Sequence, residues 1–349
     1  MSRYLNIATT LIVTGIIISI TTWNLKKFQL TNISEEHHLF DGSQARELEA
    51  QFEKSLIISK WSKGLWAAID YALLKEGYKG VVVGKDGWLF SSEEYYVPKQ
   101  ESRVKPNISY VKNVASILSE FNIALKVVLI PEKAEVYSEY APKQLSRGQL
   151  LREKVTSALN KEDVFVIDLY SKLARSKSDQ QVFLKTDTHW TPLGAKIAAR
   201  EIAQSIPLFG KQDFNTVKET STVFRGDLFN FIPVAPYFDQ FGPEPDRLTT
   251  FTTSSASTSE EDLLFSPISE PPIALVGTSY SANSNWNFPG FLREFSKQDI
   301  LNLSTEGEGP FEPMKAFISE NNFSSTNIKI VLWEIPIRYF ESKDFYATK

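Results

Sequence analysis

The chain predicts an α/β fold, a mostly parallel sheet flanked by helices. Short apolar, β-branched runs recur along it: Ile123 to Ile130, Val164 to Leu169, Ile273 to Val276, Ile300 to Leu303 and Ile328 to Ile335. Segments with helical spacing alternate with them, the pattern of a parallel sheet with crossover helices. At 42% apolar and 13% aromatic, the 349 residues can bury a substantial core.

Residues 1 to 30 read as an N-terminal anchor. Leu5 to Leu25 carries no charged residue, and about 20 apolar residues suffice to cross a bilayer as a helix. A cleaved signal peptide with Arg3 as its basic end is the competing reading, but no Ala-x-Ala site follows. Trp23 suits a membrane interface. Arg3 on one side and Lys26 and Lys27 on the other leave the orientation open by charge.

The rest, 31 to 349, reads as one domain without internal repeats. Thr31 to Gly42 is a polar stalk holding His37 and His38, a solvated segment rather than a metal site. Ser43 to Ala72 is helical, with Leu48, Phe52, Leu56 and Ile57 on one face. Val81 to Phe90 is a hairpin around Asp86-Gly87. A helix from Ser109 to Phe121 precedes the strand Ile123 to Ile130, whose carboxyl end carries Glu132 and Lys133, where open α/β sheets place ligands. A helix from Gln149 to Leu159 leads to the strand Val164 to Leu169. Thr191-Pro192 opens a helix to Ile206, with Pro at its first position. Leu248 to Pro272, rich in Ser, Thr and Glu, reads as a mobile insertion. The strands from Ile273, Ile300 and Ile328, with helical sequence towards Lys297 and from Phe311 to Asn321, complete the sheet.

Composition excludes several chemistries. There is no cysteine, so disulfides, thiolate zinc sites and cysteine nucleophiles are out. The net charge of −4 offers no basic footprint for nucleic acid. Three histidines and no His-Glu-x-x-His make a metalloenzyme a poor fit.

His189, in Thr186-Asp187-Thr188-His189-Trp190-Thr191-Pro192, is the histidine best placed for proton transfer. Asp187 can fix its tautomer; a plain surface turn is the other reading of these residues. The second motif, Leu275-Val276-Gly277-Thr278-Ser279-Tyr280-Ser281, runs an apolar strand through Gly into small hydroxyl residues and a helix. That pattern projects a serine from a sharp turn, or caps a helix. Ser279 is the favoured nucleophile, Ser281 the alternative, and His189 the base beside it.

Together these segments resemble the SGNH-hydrolase-like alginate O-acetyltransferases, the AlgJ/AlgX family. Gly84-Lys85-Asp86-Gly87-Trp88-Leu89-Phe90, Ile130-Pro131-Glu132-Lys133, Asn285-Trp286-Asn287-Phe288 and Trp333 to Tyr339 match as well, in family order over about residues 40 to 345. The N-terminal anchor, and the absence of a carbohydrate-binding C-terminal domain, favour the AlgJ branch. The resemblance implies an SGNH-like fold with a circularly permuted triad: Ser279 as nucleophile, His189 as general base and Asp187 as its orienter. It implies acetyl transfer to an exopolysaccharide such as alginate, without a cofactor. A membrane-bound acyltransferase would deliver the acetyl group, among other exopolysaccharide biosynthesis proteins as partners. It also implies a catalytic body in the periplasm, held at the inner membrane. Gly-Thr-Ser stands where better-known SGNH hydrolases have Gly-Asp-Ser, and Asn283 and Asn285 are candidates for an oxyanion donor or plain helix-surface residues.

Trp190, Tyr280 and Arg338 are the candidate substrate contacts. Trp190 would stack on a sugar ring or pack under its loop. Arg338 would grip a uronate carboxylate or form a surface salt bridge. Lys133 and Lys185 are further candidates to face a polyanion. An acetylesterase with the same triad, and a non-catalytic polysaccharide-binding scaffold, remain alternatives to the transferase.

Overall fold

The computed structural model describes residues 10, 11, 14, 15, 17–23, 42–55, 59–95, 104–142, 146–207, 212–256, 270–320 and 322–341. Most of the expected anchor, together with His37 and His38, lies outside these residues. Among the described residues no helix is long and apolar enough to cross a membrane.

Two compact units are present. The first joins the chain up to Leu74 with Ile232–Gly242; it holds the helices α1 (Ser43–Ser55) and α2 (Ser59–Ile69). Within it, Trp61 packs its ring 5.8 Å from that of Phe238. Of the expected Ser43 to Ala72 helix, Ser43–Ser55 and Ser59–Ile69 are helical and Asp70–Leu74 form a π turn, while residues 56–58 lie outside the described residues.

The second unit, Lys75–Phe231 with Pro243–Lys349, carries the sheet. It opens on the expected hairpin, β1 (Val81–Val83) and β2 (Leu89–Ser91), paired antiparallel. Asp86 and Gly87 both take positive φ, 52° and 79°, as a tight hairpin turn requires. The helix α3 (Val104–Glu120) begins earlier than expected, with Pro106 in its first turn, where its missing N–H costs nothing. Then follow β3 (Ala124–Ile130), α4 (Ser146–Asn160), β4 (Phe165–Asp168), α5 (Tyr170–Ser176) and α6 (Pro192–Ala203). After β5 (Phe214–Phe224) and β6 (Asp246–Ser255) come β7 (Ile273–Val276), α7 (Phe288–Ser296), β8 (Ile300–Asn302), α8 (Phe311–Glu320) and β9 (Ile330–Pro336).

Five strands form the main sheet in the order β4-β3-β9-β7-β8, every pair parallel. Alternation along the strands divides the core into two layers. Val128, Ile130, Leu275 and Leu332 face α5, α6 and α7. Val127, Ala274, Val331 and Trp333 face α3, α4 and α8. With both faces covered, the central strands are apolar almost throughout. β7 and β9 are buried at every position.

One expectation is corrected. Leu248 to Ser255, read as the start of a mobile insertion, lies in β6 and pairs antiparallel with β5. Its Thr and Ser side chains fit a two-stranded ribbon with one solvated face, which composition alone reads as a loop. Residues 257–269 of that segment lie outside the described residues.

Candidate active site

The carboxyl ends of β3, β7 and β9 meet at one edge of the sheet, and the loop before α6 joins them there. Thr191 caps α6, its Oγ1 accepting from Gly194 N at 3.0 Å. Leu184 N donates to the His189 carbonyl at 3.1 Å, closing residues 185–188 into a tight excursion. Few of its polar groups have ladder partners, so side chains from elsewhere satisfy them. Asp246 accepts from the backbone of Lys185 and Thr186, at 2.9 and 2.8 Å, and from Thr186 Oγ1 at 2.6 Å. Asp227 accepts from Thr188 N at 2.8 Å and Thr188 Oγ1 at 2.5 Å. From beneath, Lys133 Nζ donates to the carbonyls of Leu184, Lys185 and Asp187, at 2.9, 3.1 and 2.8 Å. Gly226 permits the approach of the Asp227 segment: a Cβ there would meet the Thr186 carbonyl oxygen at 2.2 Å.

On the other side, β7 runs into Gly277, and Thr278 caps a short helical turn, Ser279–Ala282. Ser279 is its first residue. Glu334, fully buried on β9, accepts from Thr278 N at 2.7 Å and from Ser281 Oγ at 3.0 Å.

The two segments meet through hydrogen bonds. His189 Nδ1 lies 2.7 Å from Asp187 Oδ1, and His189 Nε2 lies 2.6 Å from Ser279 Oγ. A carboxylate can only accept, so the imidazole proton sits on Nδ1 and leaves Nε2 to accept from the serine hydroxyl. Asp187 also accepts from His189 N and Asp227 N, both at 2.9 Å. Burial pushes its carboxyl up, but the bonds and charge from His189 outweigh this and hold it below the ordinary range. Asp227 goes the other way: burial, then the Asp187 charge, raise it. The imidazole is held between rings, stacked at 5.3 Å on Trp286 and 4.7 Å from Tyr280. Trp286 Nε1 donates to the Ser279 carbonyl at 3.2 Å, tying one wall to the turn. A serine hydroxyl hydrogen-bonded to an oriented, carboxylate-backed imidazole is equipped for nucleophilic attack.

Among the described residues, Asp187, His189 and Asp227 are a group that could hold a metal ion, each offering one ligand atom within 4.8 Å of the others. The carboxylates are already engaged by N–H and O–H donors, so the arrangement orients the imidazole.

Residues 81–337 match the family described as "SGNH hydrolase-like domain, acetyltransferase AlgX". The chain belongs to this acetyltransferase family. Among its relatives, the "Probable alginate O-acetylase AlgJ" of Pseudomonas putida is 34% identical, over 99% of this chain and 92% of that one. That of Pseudomonas aeruginosa is 33% identical over 93% and 87%. The solved "O-Acetyltransferase Domain of Pseudomonas putida AlgJ" superposes with a TM-score of 0.69, at 34% identity, covering 78% of this chain and 96% of that one.

In this member of the AlgX family, Asp187, His189 and Ser279 come together as the sequence predicts. Ser281, the alternative nucleophile, is fully buried and donates to Glu334. Asn283 caps the turn Ser284–Trp286, its side chain accepting from Asn285 N.

The three candidate substrate contacts are all engaged within the protein, Trp190 packed under its loop and Arg338 in ion pairs. Trp190 is fully buried; its ring packs 4.8 Å from Phe288 and 5.2 Å from Tyr280, with no face left for a sugar. Tyr280 is 2% exposed, and its hydroxyl donates to the Thr188 carbonyl at 2.8 Å, fastening the two catalytic segments together. Arg338 is committed to carboxylates: Nη1 lies 3.2 Å from Glu132 Oε2 and Nε 3.3 Å from Glu93 Oε2, with the side chain 15% exposed. Lys133, expected to face a polyanion, is instead the buried support of the Asp187 loop; burial lowers its pKa to about 8 against the pull of Glu94 and Asp187. Lys185 is half-buried, its Nζ 3.5 Å from the Asp86 carbonyl.

Three acids were missed by sequence reasoning: Asp227, Asp246 and Glu334. Asp227, in Arg225-Gly226-Asp227, had the glycine beside it as a signal of close backbone approach. Glu334 had a stronger one, a charged residue inside an otherwise apolar strand.

Proposed function

We propose that this protein is an O-acetyltransferase of exopolysaccharide, acting on alginate through Ser279, His189 and Asp187. The observation that carries the reading is the unbroken hydrogen-bonded chain from Asp187 through His189 to Ser279, at 2.7 and 2.6 Å. The polymer is taken from the alginate O-acetylases that this chain resembles over nearly its whole length.

In the first half-reaction Ser279 Oγ attacks the acetyl carbonyl of the donor while His189 Nε2 takes its proton. The tetrahedral adduct collapses, the donor's leaving group takes that proton from His189, and acetyl-Ser279 remains. A sugar hydroxyl then attacks the acetyl carbonyl and gives its proton to His189. Collapse releases the sugar acetate, and the proton returns to Ser279 Oγ. In each half Asp187 stabilises the imidazolium and holds its Nδ1–H.

The body works in the periplasm beside the inner membrane, anchored by residues 1 to 30, and a membrane-bound acyltransferase brings the acetyl group. The charge-free run Leu5 to Leu25 supports the anchor. The test is transfer by the full-length chain, purified in mild detergent, from a chromogenic acetyl ester to mannuronate oligomers. Acetylated oligomer from the parent and none from Ser279→Ala is the expected result. Ester cleavage with free acetate as the sole product would make the chain an esterase instead.

A further inference from the structure

The turn that carries Ser279 rests on a buried carboxyl group. Glu334 is fully buried on β9, on the same strand face as Ile330 and Leu332. Its Oε2 accepts from Thr278 N at 2.7 Å and from Ser281 Oγ at 3.0 Å. Thr278 Oγ1 lies 3.1 Å from both carboxyl oxygens. One side chain thus holds the residue before Ser279 and the residue two after it. Gly277 makes room for it: a Cβ there would meet Glu334 Oε2 at 2.5 Å and its Cβ at 2.8 Å.

A carboxyl in this layer is costly, because burial strips its water. Apolar packing would fill the space at lower cost, so stability of the sheet does not call for an acid here. Orientation of the turn does. With Thr278 and Ser281 both fastened to β9, the Ser279 backbone between them is fixed, and its Oγ points at His189 Nε2.

We propose that Glu334 is a positioning residue for acyl transfer: it holds Ser279 within hydrogen-bond reach of His189 and sets a second negative charge towards the imidazolium formed there. The proposal rests on Ser279 being the nucleophile. Burial raises the Glu334 carboxyl to about 7, against the bonds from Thr278 and Ser281 and the charge of His189, so its ionisation falls near neutral pH. The titratable groups it interacts with include His189 and Tyr339; its register partner on β3 is the uncharged Val128.

The test compares the full-length parent with Glu334→Gln, Glu334→Ala and Ser279→Ala, by ester turnover across pH and by melting temperature. Glu334→Ala should lower kcat about 100-fold with KM nearly unchanged, the scale of a displaced reacting group. Glu334→Gln keeps the shape and an acceptor; it should lose about ten-fold in kcat. In the parent, kcat should fall on the acid side more steeply than one proton allows, and in the Gln variant by one proton only. If Glu334→Ala does not fold, the Gln variant decides. Parental kcat and acid limb in Glu334→Gln, with Ser279→Ala inactive, would overturn the proposal alone. Activity retained in Ser279→Ala would overturn the nucleophile assignment, and the proposal with it.

Discussion

Lys133 and Asp187 are joined across 54 residues of sequence by a 2.8 Å hydrogen bond from the Lys133 ammonium to the Asp187 carbonyl. The same ammonium holds the carbonyls of Leu184 and Lys185, so one buried cation at the end of β3 sets the height of the loop that carries Asp187 and His189. Lys133→Met removes the donor from the buried Leu184 and Asp187 carbonyls, while the Lys185 carbonyl keeps its bond from Leu89 N at 2.9 Å. We expect a loss of about 3 kcal/mol in stability, read from denaturant unfolding, and a lower kcat in whatever fraction stays folded.

Asp187 fixes the tautomer of His189. Asp187→Asn keeps the shape but presents an N–H or a weaker acceptor to Nδ1, so the imidazole can turn its proton towards Ser279. In serine proteases that use the same three side chains, the equivalent change costs about 10⁴ in kcat. A fall of about 10³ or more in ester turnover is expected here, with circular dichroism and melting temperature close to those of the parent.

Trp190 supports the site from the core. Trp190→Ala opens a cavity between Tyr280 and Phe288 and should cost about 3 to 5 kcal/mol. Trp190→Phe should cost less, and its KM for mannuronate oligomers should match the parent's. A raised KM in that variant would return Trp190 to the substrate.

Stability should depend on pH through Glu334. An unfolded glutamate loses its proton near pH 4.3 or so, while the folded one keeps it to about 7. The folded state therefore binds more protons between these values, and stability falls as pH rises through the window. Asp187 has the opposite sign, but its depressed pKa acts only at lower pH. Melting temperature should drop from about pH 5 to about pH 8 in the parent, and less in Glu334→Gln.

Much of this was legible in the sequence because local chemistry and tertiary structure agree. Asp86-Gly87 makes its hairpin, Thr191-Pro192 starts α6, and Gly277-Thr278-Ser279 forms the turn after β7. Asp187 and His189 were readable because so few histidines offer a base. What stayed hidden depends on long-range contact. β5 and β6 are polar ribbons whose pairing does not show in periodicity, and their Ser and Thr content reads as loop. Trp190, Tyr280 and Lys133 carry side chains suited to ligands, and only their burial shows that they bind the protein itself. Asp227 and Glu334 act on residues far away in sequence, so no local pattern marks their partners.

The most direct test of Ser279 as the acyl carrier is peptide mass spectrometry after brief exposure of the full-length chain to an activated acetyl ester without acceptor. One acetyl group on the peptide containing Ser279, lost on adding mannuronate oligomers and absent in His189→Ala, is the predicted result. Acetyl on a different residue, or turnover at the parental rate in Ser279→Ala, would contradict it.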